Sequence, residues 1–410
     1  MKIAILTTDN REAYRQYSAR TPYFGTAPNA LFQGFATLPN LEIHILSCTQ
    51  QPMSSPPKLA ENIWFHSLHV PKIGWLRTAY AGCILAVRKE LKKIQPDIVH
   101  AQGTERDCAI SAVFQKIPKV LTIHGNIRAI TKLHRSSLFS FWWIQSQLEA
   151  FCLPRFAGVI CISKYTQQQV SDLAKTTWLL PNAAEKLFFE SRSTAIDPSA
   201  PPLVLVVANV DGRKNQNALI QALDPLARKL KFSVRFYGRC GEDPYGKEFR
   251  SLLETRPWCY WGGMISRENL RSEFARATVL FLPTREDNCP MVVLEAHASG
   301  VPVIASNVGG VPDLVEDGVT GLLTNPDFPS SMSFALEKIL TDTALAARLA
   351  EGGRKQALAR YHPNVIATRH LKIYEEVLSA RRHSYICFNW VPTSLHRQGR
   401  GARGALSILL

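Results

Sequence analysis

Short apolar runs of strand length alternate with helically spaced stretches through nearly the whole chain, and this alternation limits the fold more than any other feature. In the first half the runs are Lys2–Thr7, Glu42–Ser47, Ile98–His100, Lys119–Ile123 and Gly158–Ile162. Between them, Leu76, Tyr80, Ile84, Val87, Leu91 and Ile94 recur at helical spacing and predict a helix over Trp75–Ile94. The pattern restarts at Leu203–Ala208 and continues through Ser233–Tyr237, Trp258–Trp261, Thr278–Leu282, Val303–Ala305 and Leu322–Leu323. Such alternation builds largely parallel sheets covered by helices. A chain of 410 residues exceeds one ordinary core, and Ser191–Pro202, rich in Ser, Ala and Pro, marks the break. The expected organisation is a first α/β domain over 1–185, a linker over 186–202 and a second α/β domain over 203–360. A helix over 361–380 returning to the first domain and a basic, disordered tail over 381–410 complete it. Within that tail Gly-Arg-Gly-Ala-Arg-Gly (399–404) matches G-x-G-x-x-G only formally, because no strand precedes it.

With 46% apolar residues the chain can fill both cores. Its nine cysteines are scattered with no C-x-x-C pair, which argues for reduced thiols and against a zinc site or a disulfide framework. The opening Met-Lys-Ile-Ala-Ile-Leu-Thr-Thr-Asp reads as a strand rather than a signal peptide. No apolar run reaches the ~18 residues of a spanning helix. A cytoplasmic protein is expected, or one peripheral on the cytosolic face of a membrane. The net charge of +15 is uneven. Residues 1–182 hold 20 Lys and Arg against 10 Asp and Glu, residues 183–380 balance at 23 each, and the tail has 5 cations and no acid. A basic half beside a neutral one suggests that one domain faces an anionic partner or surface.

The chemistry concentrates in Asp287-Asn288-Cys289-Pro290-Met291-Val292-Val293-Leu294-Glu295. One acid follows a strand, and the other enters the next helix. In an open α/β sheet that edge is where ligands bind, and free N–H groups at the helix start suit hydroxyls or anions. Carboxylates accept hydrogen bonds only and can grip a vicinal diol. Lys214, with Arg213 beside it, follows the strand Leu203–Ala208 and puts positive charge at that same edge of the second domain. Gly25 lies in the loop after the first strand, either as a plain turn or where the backbone must approach a ligand. His124 ends the strand Lys119–Ile123. The stretches 72–94 and 128–156 mix cations (Lys92, Lys93, Arg128, Lys132, Arg135) with aromatics (Trp142, Trp143). They suit an anionic membrane interface or two amphipathic core helices with solvated outer faces.

Six landmarks occur in order: Tyr-Phe-Gly-Thr (23–26), Thr-Ile-His-Gly (122–125), Leu-Pro-Asn-Ala (180–183), Arg-Lys-Asn-Gln (213–216), the two spaced acids, and Gly-Gly-Val-Pro-Asp (309–313). With them the chain resembles the retaining nucleotide-sugar glycosyltransferases of glycosyltransferase family 4, over about residues 1–378. The resemblance implies the GT-B fold, two Rossmann-like domains whose parallel sheets face a central cleft. It also implies a nucleotide diphosphate sugar donor and a glycan or lipid-linked acceptor, with neither metal nor cofactor and no nucleic acid partner. By the same resemblance, Glu295 would bind the ribose and Asp287 the donor sugar, with Asn288 and Cys289 lining the site. Glu286 rivals Asp287, because the family usually has Glu at that first position. Lys214, aided by Arg213, would neutralise the leaving phosphate, with Asn209 where many relatives carry Arg. His124 would contact the sugar near the reacting carbon, and Met264, Gly309 and Gly310 would shape the nucleotide pocket. No D-x-D offers itself for a divalent ion. Two rival enzyme classes are a GT-B epimerase and a phosphorylase, the latter needing a pyridoxal phosphate lysine that the short length argues against. A non-catalytic nucleic-acid or anionic-surface binder is the rival from outside enzymes.

Overall fold

The computed structural model describes residues 1–133, 137–138, 140–190 and 200–388. The first sheet contains β1 (Lys2–Leu6), β2 (Glu42–Thr49), β3 (Lys58–Ala60), β4 (Ile63–His69), β5 (Ile98–Gln102), β6 (Lys119–Ile123), β7 (Gly158–Cys161) and β8 (Thr177–Leu179). Their order is β3-β4-β2-β1-β5-β6-β7-β8, parallel except for β3 against β4. The second sheet contains β9 (Leu203–Val207), β10 (Ser233–Tyr237), β11 (Cys259–Trp261), β12 (Val279–Leu282), β13 (Val303–Ser306) and β14 (Leu322–Thr324). It is fully parallel, ordered β11-β10-β9-β12-β13-β14. Central strands such as Ile3-Ala4-Ile5 and Val204-Leu205-Val206 are buried on both faces, as covered parallel sheets require.

Helices clothe each sheet on both sides. On one face of the first, Val87 and Leu91 of the helix Ala81–Ile94 pack against Leu6, Leu46 and Val99. On the other, the helix Thr26–Phe35 and the final helix Pro363–Phe388 bury Phe35, Ile366 and Tyr374 against Ile3, Ile43 and Ile98. The final helix is pinned there by polar contacts too, since the Tyr374 hydroxyl lies 2.6 Å from His100 Nδ1. The chain therefore passes from the first domain to the second and back. The two passages touch, Ala184 N–H donating to the Tyr361 carbonyl at 3.0 Å.

Four sequence expectations need correction. The helix expected over Trp75–Ile94 begins only at Ala81, after two short 3₁₀ turns at Lys72–Gly74 and Leu76–Thr78. Ala79 and Tyr80 are left-handed (φ 47° and 62°), and the Trp75 indole turns back to donate to the Val70 carbonyl at 2.9 Å. The first residues assigned to the linker, Lys186–Phe189, form a helical turn whose Phe188 is fully buried edge-on against Phe274. Residues 381–388, assigned to the tail, continue the final helix, and Pro392 is the first strong helix breaker after Ala380. The rest of the tail lies outside the described residues. Finally, β3, β4 and β8 are additions, β4 being obscured by the polar His66, Ser67 and His69 in its sequence.

Candidate functional site

All the chemistry-bearing loops leave the C-terminal ends of strands. In the second domain the loop after β9 and the loop after β12 are stitched together: Arg285 N–H donates to the Arg213 carbonyl at 2.7 Å, and the Thr284 hydroxyl donates to the Arg213 and Glu286 carbonyls at 3.1 and 2.8 Å. Lys214 lies two residues before the helix Gln216–Ala227 rather than opening it. Its backbone N–H is held by Asp211 at 2.9 Å, and its ammonium forms an ion pair with Asp287. Both side chains are only 13% exposed. Arg213 and Glu286 form a parallel pair further out, 3.6 Å apart and 48% and 34% exposed. The inner position therefore belongs to Asp287.

Glu295 stands in the helix Met291–Ser299 and is almost wholly buried. Arg267, at the start of the helix Arg267–Arg276, donates to it at 2.5 Å and to Glu185 at 2.9 Å, with its guanidinium over the Phe188 ring. Burial nonetheless outweighs the guanidinium and raises the Glu295 carboxyl above the usual carboxylate range. Arg267 and Glu185 were not singled out from the sequence. An Arg after a helix N-cap Ser carries no local signal, and Glu185 lies more than eighty residues away.

Asn288 does not point at the second domain's own pocket. Its carbonyl oxygen accepts from the Ser163 hydroxyl at 2.6 Å and from the Thr166 hydroxyl, and its amide donates to the His124 carbonyl at 2.9 Å. The side chain expected to line the donor site is thus committed to the first domain. Cys289 is buried, and burial pushes its thiol up to about 12, so it is neither nucleophile nor anion. Gly309 and Gly310 serve loop packing. A Cβ on either would lie 2.2 Å from the Asp287 carbonyl oxygen or 1.9 Å from that of Asn288. Met264 is 65% exposed, and Asn209 is exposed with its side-chain oxygen accepting from Arg239 N–H at 3.2 Å.

In the first domain, His124 follows β6 and its Nε2 lies 2.7 Å from the Gln102 side-chain oxygen. Burial lowers its pKa to about 4, so the ring is neutral near pH 7. With Nε2 protonated toward Gln102, Nδ1 keeps a lone pair and acts as an acceptor. Gly25 has φ +89°, in the region that favours glycine, and precedes the helix Thr26–Phe35. Between these two loops lies Glu105, whose carboxylate accepts from Gly125 N–H at 2.8 Å and is raised by burial to about 7. Arg11 and Asp9 form a buried pair at 2.6 Å, and Arg11 also donates to the carbonyls of Ala19, Arg20 and Ser54 and to the Ser55 hydroxyl. The loop after β1 is thereby clamped to the loop after β2.

The proposed membrane residues do not form one set. Lys92 and Lys93 are exposed at the end of their helix, Lys93 pairing with Glu90 at 2.6 Å. Arg128 makes a two-pronged pair with Asp172 at 3.0 and 2.6 Å, so its charge is already balanced. Trp142 is 41% exposed beside Phe141 at 50%, whereas Trp143 is half-buried. Arg135 and the Lys132 side chain lie outside the described residues. Among the described residues no helix is long and apolar enough to cross a membrane.

Residues 38–183 match the family Glycosyltransferase Family 4, and residues 189–356 match Glycosyl transferases group 1. The alpha-D-kanosaminyltransferase of Streptomyces kanamyceticus is 28% identical over 182 residues, 43% of this chain and 46% of that protein. The alpha-maltose-1-phosphate synthase of Mycobacterium tuberculosis is 23% identical over 298 residues, 65% of this chain and 75% of that protein. The chain spans about half the length of the first curated relatives it matches. Among solved structures, sucrose-phosphate synthase from Thermosynechococcus elongatus superposes with a TM-score of 0.74 at 21% identity, covering 93% of this chain and 100% of that one. HepE of Anabaena, in complex with UDP-glucose, gives 0.67 at 19%, covering 93% and 100%. At these identities the superpositions establish the architecture alone.

Proposed function

Because the chain belongs to the group 1 glycosyltransferases, with a family 4 first half and the GT-B fold, we propose that it moves a hexose from a nucleotide diphosphate sugar to a hydroxyl of a glycan or lipid-linked acceptor, with retention of configuration. The observation that carries this is the inner pair of Lys214 and Asp287, held by two stitched loops, with the buried Glu295 in the helix that follows Asp287, and tied through Asn288 to the main chain of His124. In this scheme the second domain holds the donor. The Glu295 oxygen that Arg267 does not engage accepts from the ribose, and Lys214 turns from Asp287 toward the diphosphate as negative charge grows on the leaving group. Asp287, released, accepts from sugar hydroxyls, and neutral His124 offers Nδ1 to the sugar from the opposite side. Front-face substitution lets the departing phosphate take the acceptor's proton. The chain's own residues then bind, orient and neutralise without forming a covalent bond to the sugar.

The test is a panel of nucleotide sugars screened for thermal stabilisation and slow uncoupled hydrolysis, followed by calorimetry on Glu295→Ala. Donor binding should be lost in the variant, and unchanged affinity would remove the ribose assignment. An epimerase would instead release isomerised sugar with no acceptor present. A second reading concerns the acceptor. The exposed Leu138, Phe141 and Trp142 suit the interface of a membrane that carries a lipid-linked substrate. The double variant Trp142→Ala, Trp143→Ala should lower co-sedimentation with phosphatidylglycerol liposomes while leaving donor affinity intact; equal co-sedimentation would remove this reading.

A further inference from the structure

Three side chains that the transfer scheme does not use meet in the core of the first domain. Cys48 is the penultimate residue of β2, Cys83 lies in the first turn of the helix Ala81–Ile94, and Asp107 immediately precedes the helix Cys108–Val113. Their sulfur and carboxylate oxygen atoms all lie within 4.8 Å of one another. None of the three residues is more than 5% exposed.

Asp107 makes the cluster more than a coincidence of buried thiols. It occupies the N-cap position, yet its carboxylate makes no cap bond to the helix. No Lys, Arg or His pairs with it among the described residues. Its neighbour Arg106 acts on it through its charge alone, the guanidinium itself donating to Glu12 at 3.0 Å and lying over the Trp75 ring. Beside the carboxylate lies the Cys48 thiol, which is at best a weak donor. A buried carboxylate held by no ion pair and no cap bond gains from a cation that it can coordinate directly.

We propose that Cys48, Cys83 and Asp107 form a zinc(II) site. Zinc takes sulfur at ~2.3 Å and carboxylate oxygen at ~2.0–2.2 Å in a tetrahedron, which sets its ligand atoms closer together than the 4.8 Å bound seen here. Two soft sulfurs exclude calcium and magnesium, which prefer oxygen throughout. On binding, the two thiols lose their protons to solvent and the carboxylate coordinates as it stands, so the complex forms with release of two protons. Three protein ligands leave the fourth position to water. The ion would staple the end of β2, the start of the helix Ala81–Ile94 and the loop that carries Glu105, which is a stabilising role independent of the transfer chemistry. The ligands come from three distant segments, so no C-x-x-C spacing announces them, and the proposal departs from the sequence-based expectation against zinc.

The full chain, reduced with a phosphine, is titrated with cobalt(II) as a spectroscopic probe and then with zinc(II). The expected result is one cobalt per chain with a sulfur-to-cobalt charge-transfer band and tetrahedral visible bands, all displaced by zinc. The band should be lost in Cys48→Ser and in Cys83→Ser, and the affinity should drop in Asp107→Asn. In the unaltered protein, zinc should shield Cys48 and Cys83 from alkylation, a readout that needs no variant to fold. Absence of the charge-transfer band overturns the proposal, as does a band that survives both serine variants or alkylation that proceeds equally with and without zinc.

Discussion

Where the second sheet faces the cleft, opposite charges are already matched at close range: Lys214 with Asp287, Arg213 with Glu286, Arg267 with Glu295. The facing edge of the first sheet is built differently. Its central groups are a neutral His124 and a Glu105 that accepts from the Gly125 main chain, framed by long loops that the buried Arg11 and Asp9 clamp together. The second edge is therefore a row of close ion pairs. The first is a shaped, weakly charged surface whose form depends on a few deep contacts. On the proposed reading, the phosphates of the donor go to the second edge and the hydroxyls of the acceptor to the first.

That contrast can be broken at three places. The largest effect is expected from Arg11→Ala. It leaves Asp9 buried without its cation and frees four further acceptors, so stability should fall by about 3–5 kcal/mol in urea denaturation. A loss under about 1 kcal/mol would mean that the first edge does not depend on this clamp. Next comes Lys214→Ala, which should slow turnover by roughly 100-fold, about 2.7 kcal/mol, with folding near normal; a near-native rate would place the phosphate elsewhere. The smallest effect is expected at the bridge between the edges. Asn288→Ala removes three hydrogen bonds across the cleft and should lower the unfolding free energy by about 1–2 kcal/mol. Asn288→Asp, which keeps the acceptor for Ser163 and Thr166 but cannot donate to the His124 carbonyl, should lose less. If the two variants behave alike, the bond to His124 carries the bridge.

The same contrast explains what could be read from the chain in advance. Both parallel sheets were visible because their central strands are continuous apolar runs, whereas β4 hid behind His66 and His69 and β8 is only three residues long. The broken start of the helix Ala81–Ile94 was missed because an apolar stripe does not report left-handed residues such as Ala79 and Tyr80. At the site, Lys214, Asp287 and Glu295 lie within two loops and one helix, so local motifs and the resemblance they carry singled them out. Arg267, Glu185 and Glu105 acquire their positions only when distant loops are folded together. Asn288 illustrates a different limit. Its place in the motif was legible, but the direction of its side chain was decided by Ser163 and Thr166, which lie more than 120 residues earlier.

The hydrogen bond between Ala184 and Tyr361 has a mechanical consequence. Two bodies joined by a single loose tether could slide, twist and tilt against each other in any combination. Here the outward and returning passages of chain are fastened side by side, which acts as a pinned joint. Twisting or sliding would have to stretch both passages, while rotation about the pin strains neither. A swing of one lobe away from the other about that pin would still have to break the three hydrogen bonds of Asn288 to Ser163, Thr166 and the His124 carbonyl.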